Sequence, residues 1–130
     1  MKILFIDEDR SLQQALKSVF IERGHDFYSA LSSRAGLELI QKEAPHIILL
    51  DFLLPGEDGF DFLQKLKTDP ETKDIPVIAL TNLGGEDDRK RALSLGVVDF
   101  MTKANYSLVE VVFKVEELLN KKVGNSNGLI

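Results

Sequence analysis

Five short apolar runs alternate with segments of helical spacing along the chain, and this alternation constrains the fold more than any other feature. The runs cover residues 3–6, 26–30, 47–50, 77–80 and 97–101. Three of them are almost continuous in Ile, Val, Leu and Phe, a pattern typical of strands buried on both faces. Strands that alternate strictly with helices form βαβ units, so the sequence predicts a parallel sheet with helices on both sides.

Capping signals give the predicted helix boundaries. Ser11 and Ser107 each precede a Gln or Glu by three residues, as in a capping box, while Ser33 and Asp58 are the expected caps of the second and third helices. A fourth helix is predicted from about residue 86 to 95, and the fifth is expected to end near Lys122. Right-handed crossovers then favour an α/β, flavodoxin-like (βα)5 three-layer sandwich with strand order 2-1-3-4-5. We expect one domain over residues 1–122 and a short polar tail over 123–130.

Composition excludes several classes of function. The net charge is −5, which argues against general nucleic-acid binding because that needs a basic surface. The chain has no cysteine, so disulfides and thiolate zinc sites are excluded. No apolar run approaches the roughly 20 residues that cross a bilayer, and MKILFIDED does not resemble a signal peptide. We therefore expect a cytoplasmic protein without a membrane partner.

Polar side chains follow four of the predicted strands. Strand 1 ends in Asp7 and Glu8, strand 3 in Asp51, strand 4 in Thr81 and strand 5 in Lys103. Each has an ordinary explanation as a helix cap, a loop residue or a surface charge. Together they converge on one edge of the sheet, at the point where the strand order reverses and ligands bind.

This set of residue types favours phosphoryl chemistry assisted by a hard cation. Crowded carboxylates without His or Cys favour Mg²⁺, which binds through one or two carboxylates, waters and a phosphate oxygen. A carboxylate can also form an aspartyl phosphate when the phosphoryl charge is neutralised. Thr81 could donate a hydrogen bond to a phosphoryl oxygen, and Lys103 could pair with another.

Four segments in order resemble the receiver domain of two-component response regulators, over residues 1 to about 122. They are ILFIDED with its paired acids, LLDFLLPGEDGF with its Pro-Gly turn and Asp-Gly, VIALT with its final threonine, and DFMTK. The resemblance implies a stand-alone, chemotaxis-type signalling protein, rather than an enzyme, that accepts a phosphoryl group from a histidine kinase or phosphotransfer protein. It also implies a downstream protein target bound through the helix 4–strand 5–helix 5 face, and a monomer or a weak phosphorylation-dependent dimer.

The resemblance also assigns residues. Asp51 would be the phosphoacceptor, and Thr81 and Lys103 would contact the phosphoryl oxygens. The ligands of Mg²⁺ would be the side chains of Asp7, Glu8 and Asp51 and the backbone carbonyl of Leu53. Thr81 and Phe100 would form a switch pair that changes conformation together.

The sequence departs from the family pattern at four positions in or beside these motifs. Glu8 replaces the commoner Asp, Asn82 replaces a very small residue, Ala104 replaces a proline that typically follows a cis bond, and Phe100 lacks a hydroxyl. Without proline a cis bond costs about 3 kcal/mol, which favours a trans Lys103–Ala104 bond.

Apolar residues two positions after Asp51 and Thr81 suggest a long-lived phosphorylated state. Leu53 and Leu83 stand where the family lines the approach of the hydrolytic water. We therefore predict slow self-hydrolysis of the acyl phosphate.

Two other interpretations of the function remain open at this stage. FIDED also fits a Mg²⁺-dependent, haloacid dehalogenase-like phosphohydrolase with Asp7 as nucleophile and Asp9 as acid. A receiver-like module that binds partners without phosphorylation is the third interpretation.

On the fifth helix, Val109 and Phe113 are expected to pack under the fourth helix, or else to form a partner surface.

Overall fold

The structure, a computed structural model, describes the backbone of residues 1–127 and the side chains of residues 1–121. Its parallel sheet has the predicted order β2-β1-β3-β4-β5. The strands are β1 (Lys2–Ile6), β2 (Asp26–Ala30), β3 (Ile47–Leu50), β4 (Val77–Thr81) and β5 (Asp99–Thr102). The helices are α1 (Arg10–Glu22), α2 (Ser33–Glu43), α3 (Gly59–Thr68), α4 (Glu86–Ser94) and α5 (Leu108–Asn127). No helix in this part of the chain is long and apolar enough to cross a membrane.

Two hydrophobic layers cover the two faces of the sheet. Successive side chains of a strand point to opposite faces, so Leu4 and Ile6 enter one layer while Ile3 and Phe5 enter the other. The first layer packs under α2, α3 and α4, and the second under α1 and α5. Both faces of the central strands are therefore buried, as their continuous apolar runs predict.

Two predicted helix caps were wrong by one or two residues. The N-cap of α1 is Asp9, whose side chain accepts a hydrogen bond from the amide of Leu12, so Ser11 already lies within the helix. The N-cap of α2 is Ser32, and Ser33 is the first helical residue. In both cases an earlier residue with an equally good capping oxygen lies closer to the end of the preceding strand.

The other predicted caps are confirmed, but the end of the last helix was placed too early. Asp58 caps α3 by accepting from the amide of Phe60. Ser107 and Glu110 form the predicted capping box, with reciprocal bonds of 2.9 and 3.2 Å between each side chain and the other's amide. Helix α5 continues to Asn127, beyond Lys122. Residues 128–130 of the predicted tail lie outside the described residues.

The expectation that Val109 and Phe113 pack under α4 was wrong. Their exposed fractions are 50% and 54%. Instead, the Phe113 ring lies 5.3 Å from the guanidinium of Arg23, at the end of α1. Glu116, one turn further along α5, also binds Arg23, so this flank of α5 faces α1.

Candidate functional site

Two buried carboxylates meet one lysine at the carboxyl edge of the sheet. Asp7 follows β1 and Asp51 follows β3, and their exposed fractions are 1% and 4%. The Lys103 Nζ atom, at the end of β5, lies 2.5 Å from Asp7 Oδ2 and 3.0 Å from Asp51 Oδ2. The structure thus brings together three of the predicted site residues, and their residue types fit a centre for anionic ligands and cations.

Backbone hydrogen bonds fix both carboxylates. The amide of Asp51 donates to the carbonyl of Ile6 at 3.0 Å, which continues the β1–β3 ladder past its last paired residues. Asp51 Oδ1 then accepts from the amide of Leu53 at 3.0 Å. Asp7 Oδ1 accepts in the same way from the amide of Asp9 at 2.8 Å. Each carboxylate therefore keeps one oxygen for the backbone and turns the other toward Lys103.

Burial and the ion pairs perturb the pKa values of two of these groups. Burial raises the pKa of Asp7 above its ordinary value, although Lys103 and the amide of Asp9 act in the opposite direction. Burial by itself would lower the pKa of Lys103, but its hydrogen bonds to Asp7 and Asp51 outweigh this effect and raise the pKa. Lys103 is therefore a fixed positive charge between two acids at neutral pH.

Glu8 does not join the two buried carboxylates. Its side chain is exposed, and the described residues contain no group of three or more Asp, Glu, His or Cys side chains that could hold a metal ion. Among the contacts that the structure shows, none holds the longer side chain of Glu8 toward Asp7 and Asp51. The side chains of Asp7 and Asp51 are thus the parts of the predicted metal set that lie together, and the contact of Leu53 with Asp51 is made by its amide.

Thr81 ends β4 with a fully buried side chain. Its hydroxyl oxygen accepts from the amide of Leu83 at 3.3 Å, which leaves the hydroxyl hydrogen available as a donor. Leu83 packs against the hydrophobic core, whereas Leu53 is 48% exposed and Asn82 is exposed. Of the two leucines predicted to shield the phosphate, only Leu83 is held in place by packing.

Phe100 is buried and belongs to an aromatic cluster that the sequence did not reveal. Its ring centroid lies 6.3 Å from that of Phe52, which stacks on Phe60 at 4.4 Å. The Arg91 guanidinium of α4 lies 4.2 Å from the centroid of Phe60. The residue that follows the predicted phosphoacceptor is thus connected both to the predicted switch aromatic and to α4.

Gly59 is a site-supporting residue whose role sequence reasoning missed. A Cβ atom on Gly59 would lie 2.3 Å from the Cα of Phe52 and 2.7 Å from its carbonyl oxygen. The amide of Gly59 donates to that carbonyl at 3.2 Å. The Asp-Gly pair was visible in the sequence, but the close approach of two backbones depends on tertiary structure.

The segment after Lys103 has no cis bond. Residues 103–105 form a short 3₁₀ turn, and every peptide bond in the described residues is trans. This agrees with the expectation from Ala104 at the position after Lys103.

Comparison with known proteins identifies the family. Residues 3–113 match the response regulator receiver domain family. The response regulator PleD of Caulobacter vibrioides is 36% identical over 102 residues, which are 78% of this chain but only 22% of PleD. Among solved structures, the Francisella response regulator 1452 receiver domain is 29% identical with a TM-score of 0.83, over 93% of this chain and 98% of that one. The Mn²⁺-bound form of response regulator Rcp1 is 28% identical with a TM-score of 0.72, over 78% and 80% of the two chains.

These matches contradict the alternative of a haloacid dehalogenase-like phosphohydrolase. The structure agrees, because Asp9, the acid of that alternative, is used as the N-cap of α1. The strand order is the predicted one, and Asp7, Asp51 and Lys103 lie together at the carboxyl edge of the sheet, whereas Glu8 lies apart from them. The chain belongs to the response regulator receiver domain family.

Proposed function

We propose that Asp51 accepts a phosphoryl group from a histidine kinase or a phosphotransfer protein. The observation that carries this proposal is the buried Asp51 carboxylate, whose Oδ2 lies 3.0 Å from the ammonium of Lys103. In the transfer, an Asp51 oxygen attacks phosphorus and forms a P–O bond. The P–N bond to the donor's imidazole breaks, and its electron pair leaves on the ring nitrogen.

Two side chains would stabilise the transferred group. Before transfer, the ammonium of Lys103 pairs with both carboxylates. After transfer, it can pair with an oxygen of the phosphoryl group on Asp51. Thr81 keeps a free hydroxyl hydrogen at the end of the neighbouring strand, and it can donate that hydrogen to another phosphoryl oxygen. Both act on the negative charge that increases when Asp51 is modified.

The residues at this edge also fit Mg²⁺. The donors are the carboxylates of Asp7 and Asp51, which share one ammonium, and the family resemblance adds the backbone carbonyl of Leu53. A pair of buried carboxylates with a single cation between them retains net negative charge, and all of the donors are oxygens, as Mg²⁺ prefers. When bound, Mg²⁺ would neutralise charge on the phosphoryl oxygens. Asp7, Asp51 and the Leu53 carbonyl would hold it, whereas Glu8 is exposed and lies outside this set.

The output would be a change in protein–protein contact on the face formed by α4, β5 and α5. This face carries Leu93 and Tyr106, which are 41% and 39% exposed. Phe100 connects the face to the site, because its ring contacts Phe52 while its carbonyl accepts from Arg89 of α4 at 3.4 Å. We expect a monomer or a weak dimer that responds to phosphorylation, and a protein rather than a nucleic acid as the target.

Acetyl phosphate labelling tests the proposal. The protein is incubated with acetyl phosphate and Mg²⁺, and the acyl phosphate is located by mass spectrometry in wild type, Asp51→Asn and Asp58→Asn. We expect label at Asp51 in wild type, none in Asp51→Asn, and normal label in Asp58→Asn, where Asn still caps α3. An unlabelled wild type would instead favour a receiver that binds its partners without phosphorylation.

The lifetime of the acyl phosphate tests the predicted shielding. Leu83→Glu is expected to speed the loss of label more than Leu53→Asn, because Leu83 is the better-packed side chain. The measurement is the decay of label after removal of acetyl phosphate. Rapid decay in wild type that neither change alters would contradict the shielding role.

A further inference from the structure

A buried glutamine on α1 binds the carboxyl ends of β1 and β2. The side chain of Gln13 is 4% exposed. Its Nε2 atom donates to the carbonyls of Phe5 at 2.9 Å, Asp7 at 3.1 Å and Ala30 at 3.1 Å. Because the amide has two hydrogens for these three acceptors, at least one hydrogen is shared.

These bonds reach Asp7 directly. The amide of Asp7 donates to the same Ala30 carbonyl at 2.9 Å, while the carbonyl of Asp7 accepts from Gln13. Asp7 Oδ1 is held by the amide of Asp9. The backbone of Asp7 is thus fixed on both sides of its Cα atom, and only Oδ2 is left to face Lys103.

The N–H groups of the Gln13 side chain have hydrogen-bond partners, whereas its oxygen has none among the described residues. Its Oε1 atom is buried and has no hydrogen-bond partner among the described residues. A buried acceptor without a partner is unfavourable, and an apolar side chain of the same size would avoid it. The N–H groups are therefore the part of the Gln13 side chain that stabilises this arrangement.

We propose that Gln13 is a positioning residue for the divalent cation, which it affects through the backbone of Asp7. The inference rests on the proposed function, since it assumes that Asp7 is a metal ligand. Groups that orient metal ligands affect the affinity of the site even though they never touch the metal. Gln13 has this relation to Asp7, because it binds that residue's carbonyl and the carbonyl to which that residue donates.

Magnesium titration followed by NMR tests this role without any phosphoryl transfer. In Gln13→Met the volume is kept and the donor is lost; Gln14→Met is the matched control, because Gln14 is the exposed neighbour on the same helix. We expect the dissociation constant for Mg²⁺, read from the amide signals of residues 7–9, to rise about 10-fold in Gln13→Met. We expect no change in Gln14→Met. Equal affinities in the two variants would overturn the proposal.

Phosphorylation kinetics separate positioning from a general loss of structure. The Mg²⁺ concentration for half-maximal labelling is expected to rise in Gln13→Met, while the maximal rate at saturating Mg²⁺ stays close to wild type. A merely structural role would lower the folded fraction and the maximal rate but leave the half-saturating concentration unchanged, which would overturn the proposal. If wild type binds Mg²⁺ but is not labelled, the proposed function fails, and the titration still decides the role of Gln13.

A second variant, Gln13→Asn, provides the test if the Gln13→Met protein does not fold. Gln13→Asn keeps the polar amide but is one methylene shorter, so it cannot reach all three carbonyls. We expect it to lose Mg²⁺ affinity in the same direction. Wild-type affinity in a folded Gln13→Asn protein, or a wild type that binds no Mg²⁺, would overturn the inference.

Discussion

Helices α3 and α4 lie on the same face of the sheet, and each follows a strand that ends in a site residue, yet they are held in different ways. Helix α3 buries five residues in its ten: Gly59, Phe60, Phe62, Leu63 and Leu66. Helix α4 buries only Ala92. The helix after Asp51 is therefore part of the rigid scaffold, whereas the helix after Thr81 has few buried contacts and can move at low cost.

Polar contacts take the place of apolar packing in α4. Its sequence EDDRKRALS is mostly charged, and both of its arginines contact residues of the aromatic cluster: Arg91 lies over the ring of Phe60, and Arg89 donates to the backbone carbonyl of Phe100. Such contacts are weaker than a buried leucine and can be exchanged for others. The difference predicts that a signal from Asp51 moves α4 and leaves α3 in place.

The largest expected difference comes from removing one leucine from each helix. Leu63→Ala removes a fully buried side chain of α3, and we expect the free energy of unfolding to fall by about 3 kcal/mol. Leu93→Ala removes a side chain of α4 that is 41% exposed, and we expect a loss under about 1 kcal/mol. Urea unfolding measures both. Similar losses for the two variants would show that the helices are anchored equally well.

Adding one methyl group to the first turn of each helix gives the next largest effect. Gly59→Ala would force the backbone of Phe52 to shift, and we expect a loss of about 2 to 3 kcal/mol in the free energy of unfolding. Gly85→Ala, at the N-cap of α4, meets only an ordinary contact with Asp88 at 3.6 Å. We expect it to change stability by less than about 1 kcal/mol. A Gly59→Ala protein as stable as wild type would contradict the close approach.

Removing the contact between the two helices is expected to have a smaller effect. Arg91→Ala removes the guanidinium that lies over Phe60, and we expect a loss of about 1 kcal/mol in the free energy of unfolding. Lys90→Ala removes its exposed neighbour and is expected to be neutral. Amide hydrogen exchange adds a local measurement: Arg91→Ala should speed exchange in α4 and leave α3 unchanged. Faster exchange in both helices would mean that they open together.

The smallest expected effect concerns an ion pair at the start of α3 and depends on pH. The ammonium of Lys65 and the hydroxyl of Ser33 hold the pKa of Glu57 below its usual range. The ionised carboxylate therefore stabilises the fold at neutral pH, and this contribution is lost as the pH falls through the lowered pKa. Glu57→Gln should lower the free energy of unfolding by less than about 1 kcal/mol at pH 7, and this difference should disappear as acid pH protonates the carboxylate of the wild type. A difference that is constant over this range would rule out the ionic contribution.

The fold was predictable because its signals are local. Continuous apolar runs identified the strands, and the capping box at Ser107 and the cap at Asp58 gave correct helix starts. The starts of α1 and α2 were misplaced because neighbouring residues offered equivalent capping oxygens. Val109 and Phe113 were misplaced because the spacing of a helix identifies its faces but not the neighbour that each face meets.

The candidate site was predictable only in part. The order of the strand ends brought Asp7, Asp51 and Lys103 together, because parallel strands place their carboxyl ends at one edge. The exposure of Glu8, the buried amide of Gln13 and the close approach at Gly59 depend on distances between elements, which no local pattern encodes.

The contact between Gly59 and Phe52 also has a consequence for evolution and engineering. The loop 53–58 leaves and returns at this point, where the amide of Gly59 binds the carbonyl of Phe52. Because the base of the loop is closed by the backbone, we expect substitutions of the exposed residues at its tip other than Gly56 to leave Asp51 in place. The exposed tip of the loop at Pro55 and Gly56 thus stands on a base that is closed by backbone groups, apart from the buried side chains of Asp7 and Asp51.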